Sequence, residues 1–397
     1  MMKTKCLLTC FVGASLLLSG AEPEDKWKPV ACESAKPYRG PKLHPAPVSK
    51  VFSDAAGSLE GTLDAATVHR LEQALKTALD ATKASSMTVA VGLPGKGIWS
   101  LTTNNSPQPV VPAPRWFWFA SVGKAFTAVV VQQLVEEGKL KFDDKLARWF
   151  PDYPNAKVIT IDHLLTHTSG IYSFQADPGL RAKPGYKSPE ELIAVAQTHG
   201  NAFCPGEYWS YCNTGYVMLG RIIERIEGRP FHEVVTARIV ERLGLKNTKA
   251  MAPREIVADL ATARPSDPKE ATASEETPPT PFAAGPIVAS ADDMVRFWHG
   301  LLGGRLLKPV TVRGQFQRLY PMFDQGTFYG RGVMLYDVGD SKTGRFTWLG
   351  HSGGSPGIKA VVAYAVATGA YVAVAMNSDG SAEATANLLL KALLSPR

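Results

Sequence analysis

The sequence predicts a mixed α/β (α+β) fold: an antiparallel sheet flanked by helices, with an inserted, mostly helical part. Three patterns predict it. Two short strand candidates follow an N-terminal amphipathic helix, helical periodicity dominates the middle of the chain, and the C-terminal stretch alternates strand-like runs with glycine-rich turns. Strands near both ends with helices between them place the two ends in one sheet, because a sheet face must be buried against another layer.

The elements follow in chain order. Lys3 and Lys5 precede the apolar run Cys6–Leu18, and Ser19-Gly20-Ala21 offers small residues for cleavage, so residues 1–21 read as a secretory signal peptide. That run is shorter than the roughly 20 residues of a spanning helix. No stable membrane span is therefore expected after cleavage, and a secreted or periplasmic location is. Residues 22–60, rich in Pro and Lys, predict an extended, partly wandering lead-in to a domain over 61–395 that starts near Gly61. Val68, Leu71, Leu75 and Leu79 recur at helical spacing and predict a helix over Ala65–Lys83; Met87–Gly92 and Gly97–Leu101 follow as strands. Ser121–Glu137 reads as a buried helix that stops at Gly138, where positive φ is cheap. Further helices are expected over Asp144–Phe150, Ile161–His167, Pro189–His199, Thr214–Glu227 and Phe231–Leu243. Residues 264–281 are polar and Pro-rich and read as loop. Then come a helix near Ala291–Leu302, strands Gly332–Val338, Arg345–Leu349, Ile358–Val366 and Tyr371–Met376, and a closing helix Ala382–Leu394. On this reading 61–125 and 283–395 form the α/β part and 126–282 the helical part.

Composition narrows the function. A hydrophobic content of 45% predicts a folded globule, and the basic residues behind the net charge of +7 are scattered rather than clustered, which argues against nucleic acid as a partner. Cys32, Cys204 and Cys212 lie beyond the signal, and an oxidising compartment allows one pair. Cys204 with Cys212 is the favoured pair; three unpaired thiols is the alternative.

Three segments carry candidate chemistry. In Ser121-Val122-Gly123-Lys124 a helix would put the amine on the same face as the hydroxyl, where it could accept the serine proton. The same spacing at Ser266-Asp267-Pro268-Lys269 sits in a loop broken by proline. Tyr211-Cys212-Asn213 leads into an apolar helix and would place a phenol and an amide at its mouth, whereas Tyr153-Pro154-Asn155 lies in a proline-flanked loop. His351-Ser352-Gly353-Gly354 opens a glycine-rich link into the strand Ile358–Val366, where missing side chains admit a substrate to the backbone. Lys342-Thr343-Gly344 reads instead as a polar hairpin turn. His163 and His167 share the spacing of two metal ligands on one helix face, but Leu164 stands where a zinc protease carries glutamate, and no third ligand is evident. Packing and capping is the better account of that pair, and neither a metal nor a cofactor is expected.

The order Ser-x-x-Lys, Tyr-x-Asn, His-x-Gly resembles the class C β-lactamase and D-alanyl-D-alanine carboxypeptidase group of serine hydrolases, penicillin-binding-protein-like and including related esterases. Leu164-Leu165-Thr166-His167-Thr168-Ser169-Gly170-Ile171 and Pro205-Gly206 support the resemblance. It implies a β-lactamase/transpeptidase-like fold and an acyl-enzyme on Ser121, kept reactive by Lys124. Tyr211 would shuttle protons, sharing the role of base with Lys124, and Asn213 would orient Lys124 and hydrogen-bond the substrate. The backbone N–H groups of Ser121 and Gly354 would form an oxyanion hole, Ser352, Gly353 and Gly354 would bind substrate, and His351 would face the leaving group. Histidine stands where many β-lactamases of this group carry lysine and is only partly charged near neutrality. The implied substrate is a D-alanyl peptide or short ester ahead of a β-lactam. The competing function is a penicillin-binding sensor or scaffold that acylates without significant turnover.

Overall fold

The computed structural model describes residues 29–104, 115–183, 185–267, 282–323, 326–340 and 344–394. The signal segment, most of the Pro-rich loop, Pro268-Lys269 and Lys342-Thr343 lie outside the described residues.

Helices α1 (Ser49–Ala55) and α2 (Ala65–Thr82) precede the hairpin β1 (Ser86–Leu93) and β2 (Gly97–Asn104). Asp64 caps α2, its carboxylate accepting from Thr67 N at 2.8 Å. After β3 (Phe117–Trp118) comes the helical middle: α3 (Gly123–Glu136), α4 (Ile161–Leu165), α5 (Pro178–Arg181), α6 (Pro189–His199), α7 (Asn213–Glu227) and α8 (Phe231–Val235). A π-helical segment over Thr236–Glu241 prolongs α8. Ser188 and Glu191 close a reciprocal capping box around Pro189 and set the start of α6. Strands β4 (Thr248–Ala250) and β5 (Ile287–Ala289) then pair with β3 in a small sheet of order β3-β5-β4.

The chain ends with α9 (Ala291–Leu302), α10 (Pro309–Gln315), β6 (Tyr320–Pro321), β7 (Thr327–Tyr329), β8 (Met334–Asp340), β9 (Gly344–Ser355), β10 (Ile358–Ala365), β11 (Ala370–Met376) and α11 (Ala382–Ala392). Its strands join the N-terminal hairpin in one sheet of order β2-β1-β11-β10-β9-β8-β7-β6, paired antiparallel throughout. Strand β11 is fully buried and β1 is buried up to Leu93, and alternation along them feeds two cores. Val89, Val361 and Val374 pack on Leu71 and Leu75 of α2 and Leu389 of α11. Ala90, Val362 and Ala373 join Met294 and Phe297 of α9 and the apolar residues of α3 in the larger core.

Four local expectations are corrected. Asp144–Phe150 is a single 3-10 turn, Leu146–Arg148, because Leu146 N and Ala147 N donate to Ile159 O (2.9 Å) and Ala156 O (3.0 Å) instead of to their own helix. The lead-in does not wander from residue 29 on, and the fold is engaged well before Gly61: Val30, Lys36 and Arg39 N–H groups donate to Asn201, Pro205 and Glu207 carbonyls at 2.8–2.9 Å. Asn155 holds the same strap, its Oδ1 accepting from Cys32 N and its Nδ2 donating to Val30 O, both at 2.8 Å. The disulfide is Cys32–Cys204, not Cys204–Cys212, since the strap brings Cys32 alongside while Cys212 is buried at the head of α7 with Sγ 3.9 Å from Tyr172 O. Finally, His351–Gly354 belongs to strand β9 rather than to a link before β10.

Candidate active site

A 3-10 turn, Ala120–Val122, carries Ser121 into α3. The aromatic run Phe117–Phe119 is buried beneath it, and Ala120 takes a left-handed φ of 46°, a costly conformation for a residue with a Cβ. The helix then places Lys124 one turn on, fully buried, with Nζ donating to Ser121 Oγ at 3.0 Å and to Ala284 O at 2.7 Å. The amine also lies 4.9 Å from the ring centroid of Tyr211 and 5.5 Å from that of Tyr216. With no carboxylate beside it among the described residues, desolvation holds the amine well below its usual range.

Tyr211 stands just before α7 with its phenol beside the Ser121 side chain, whose influence opposes the effect of burial. Burial pushes its phenol well above the usual value of 10.0. The backbone around it hangs on His167: Ser210 N donates to His167 O at 3.0 Å and Cys212 N to His167 Nδ1 at 3.1 Å. Asn213 is buried in the first turn of α7, but its amide donates to Gln175 Oε1, and no bond to Lys124 occurs among the described residues. The expectation that Asn213 orients Lys124 is thereby corrected: Ala284 O does so.

Strand β9 closes the other side. A Cβ built on Gly353 would fall 2.2 Å from Phe119 O and 2.8 Å from Ser121 N, so only glycine lets the strand lie against the serine turn. Gly354 is exposed, opposite Lys359 of β10. Ser352 does not point at the serine. Strand alternation turns it the other way, and its hydroxyl donates to Glu383 Oε1 at 2.6 Å and contacts Tyr336.

His351 is 0% exposed, and the reading of it as a partly charged group facing the leaving group is corrected. Its Nδ1 lies 2.6 Å from Ser352 O, a pure acceptor, so Nδ1 carries the proton and Nε2 accepts from Tyr329 OH at 3.1 Å. Desolvation and the neighbouring Lys124 bring its pKa down to about 3, leaving a neutral imidazole.

Sequence reasoning missed Tyr329, which sits at the hub of the site. Beyond its bond to His351, its hydroxyl lies 3.3 Å from Tyr216 OH, and its ring packs 4.4 Å from His167 and 6.1 Å from Tyr211. Only a tyrosine placed just before a glycine-flanked bend, Tyr329-Gly330, marks it in the sequence. The candidate pair His163 and His167 does not form a ligand set: His163 Nδ1 accepts from Thr160 N at 3.2 Å in the cap of α4, while His167 lies beyond that helix at a φ of 59°.

Among known proteins, the family model described as Beta-lactamase matches residues 71–395. The chain belongs to this beta-lactamase family. One relative in the family is penicillin-binding protein 4 of Amycolatopsis lactamdurans, 30% identical over 61% of this chain and 66% of its own length. Another is the lovastatin esterase of Penicillium rubens, 28% identical over 51% of this chain and 59% of its own. The chain spans about half to two thirds of the length of the curated relatives it matches. The fold also resembles that of D-amino acid amidase from Ochrobactrum anthropi SV3 complexed with L-phenylalanine, with a TM-score of 0.71 and 25% identity over 82% of this chain and 98% of that one. The sheet and helices described above are thus the beta-lactamase-family arrangement.

Proposed function

We propose that the protein is an exported serine hydrolase that forms an acyl-enzyme on Ser121 and cleaves amide or ester bonds. The observation that carries this reading is the desolvated Lys124 amine 3.0 Å from Ser121 Oγ, with the Tyr211 ring 4.9 Å from the same amine.

Burial favours the neutral form of both groups, so the amine has a lone pair to accept a proton and the phenol keeps its own to give. Lys124 takes the Ser121 proton as Oγ bonds to the substrate carbonyl carbon. The oxyanion is held by the Ser121 and Gly354 N–H groups; losing one such donor costs on the order of 10² to 10³ in rate. Collapse breaks the bond to the leaving nitrogen or oxygen, which departs with the proton delivered through Tyr211 and Lys124. Water then attacks the acyl carbon, gives its proton back along the same path and restores Ser121. Lysine retains the role of base because burial favours its neutral form, whereas burial disfavours the phenolate of Tyr211. The esterase and amidase names among the relatives support both bond types. The apolar N-terminal run and the Cys32–Cys204 bridge support export.

The test is to assay purified protein and Ser121→Ala side by side on a nitrophenyl ester, a D-alanyl-D-alanine peptide and a chromogenic cephalosporin. Steady turnover that disappears in the variant is expected. One stoichiometric burst would return the acylating-sensor function, and full activity in the variant would remove Ser121 from the mechanism.

A further inference from the structure

The two basic side chains flanking Gly353-Gly354 have nothing to offer a substrate. His351 is sealed from solvent with both ring nitrogens occupied, Nδ1 by Ser352 O and Nε2 by Tyr329. Lys359, paired opposite Gly354, has its amine on Asp379 Oδ1 at 3.1 Å and Ser355 O at 3.0 Å. Lys124 lies behind the serine with its amine committed to Ser121 and Ala284.

Beside Tyr211 the surface is aromatic. Phe323, 47% exposed, stands edge-on to Trp209 with ring centroids 5.3 Å apart, and 6.2 Å from the Tyr211 ring. A carboxylate drawn against these rings gives up water while none of these three basic groups is free to meet it, whereas an aryl or alkyl group gains by covering the rings.

Resting on the acyl-transfer function above, we propose that this site takes uncharged esters and amides bearing an apolar or aromatic group, and disfavours substrates with a free carboxylate beyond the scissile bond. Neutral esters then rank ahead of D-alanyl peptides and β-lactam acids. His351 serves as a hydrogen-bond anchor for Tyr329 rather than as a charge for the substrate.

The test compares the phenylacetyl esters of 3-hydroxybenzamide and 3-hydroxybenzoate, which differ by one charge on the leaving group. Each kcat/KM is divided by the spontaneous hydrolysis rate of the same ester, and labelling by a fluorophosphonate serine probe runs alongside. The amide ester is expected to be turned over at least about tenfold more efficiently near neutral pH, the penalty of an uncompensated carboxylate. Equal or better use of the carboxylate ester, with the probe on Ser121, overturns the substrate class and leaves acyl transfer standing. Absence of both turnover and labelling overturns acyl transfer and this inference with it.

Discussion

Gly353 lies against the backbone of Ser121 so closely that a Cβ there would come within 2.8 Å of Ser121 N. The atoms it would strike, Ser121 N and Phe119 O, are backbone and cannot swing aside, so a side chain must push the strand and the serine turn apart. Gly353→Ala should therefore lower kcat/KM about 100-fold, the usual consequence of a displacement near 1 Å at a reacting centre. Ester kinetics on the folded variant provide the check; wild-type rates would mean that this contact does not set the site.

Lys124 is buried without a carboxylate partner among the described residues, so an apolar side chain should be tolerated there structurally but not chemically. Lys124→Met is expected to lose about 10² to 10⁴ in kcat/KM, the range of a general base. Its unfolding midpoint should hold or rise, because a desolvated amine is removed. Burial lowers the amine's pKa, so wild-type activity rises with pH as Lys124 loses its proton and then levels off. An identical acid limb in the residual activity of Lys124→Met would assign that ionisation elsewhere.

Two buried histidines, His167 and His351, and the half-buried His163 give the fold an acid weakness. Desolvation brings His351 down to about 3 and His163 to about 4, and holds His167 well below 6.5. Above the unfolded value near 6.5 neither state binds the proton, and the histidines contribute no pH dependence. Below it the unfolded chain takes up protons that the native state refuses, so stability falls as pH drops from 6.5 toward 3. The urea midpoint should decline between about pH 7 and pH 5, where carboxylates are still ionised, and His351→Gln should reduce that slope. A flat midpoint over the window would contradict the buried neutral state.

The Cys32–Cys204 bridge fastens the N-terminal strap to the loop that leads to Trp209 and Tyr211. Opening it should cost about 2–5 kcal/mol, read as a lower denaturation midpoint with reductant or in Cys32→Ser. Non-reduced peptide mapping should link Cys32 to Cys204, with Cys212 alkylated only after unfolding. A Cys204–Cys212 peptide, or midpoints that ignore reductant, would refute the arrangement.

Elements with local causes could be read in the sequence. The helix over Pro189–His199 has its capping box and proline written within four residues, and the central strands of the sheet, buried on both faces, are written as near-continuous apolar runs. What could not be read depends on distance. Cys204 and Cys212 are neighbours in sequence, but the head of α7 turns Cys212 toward Tyr172, and Cys32 arrives across 172 residues on a strap whose composition suggested an extended, partly wandering lead-in. Ser121, Lys124 and Tyr211 were each visible as types at a spacing, and the fold gathers them around the Lys124 amine. The neutrality of His351 and the central place of Tyr329 come from burial by residues far along the chain, which no local pattern encodes.

His167 illustrates the same dependence. Its Nδ1 accepts from Cys212 N, so the proton sits on Nε2, which is buried without a hydrogen-bond partner among the described residues. Its ring fills the space between Tyr211 (4.3 Å) and Tyr329 (4.4 Å), two residues on which the serine and His351 depend. His167→Ala would leave Cys212 N unpaired in the interior, at a cost of about 1–3 kcal/mol, and remove the support behind the Tyr211 phenol. A positioning role predicts a fall in kcat of about tenfold or more with KM little changed and with serine-probe labelling of Ser121 retained. A loss of stability with kcat intact would restrict His167 to packing.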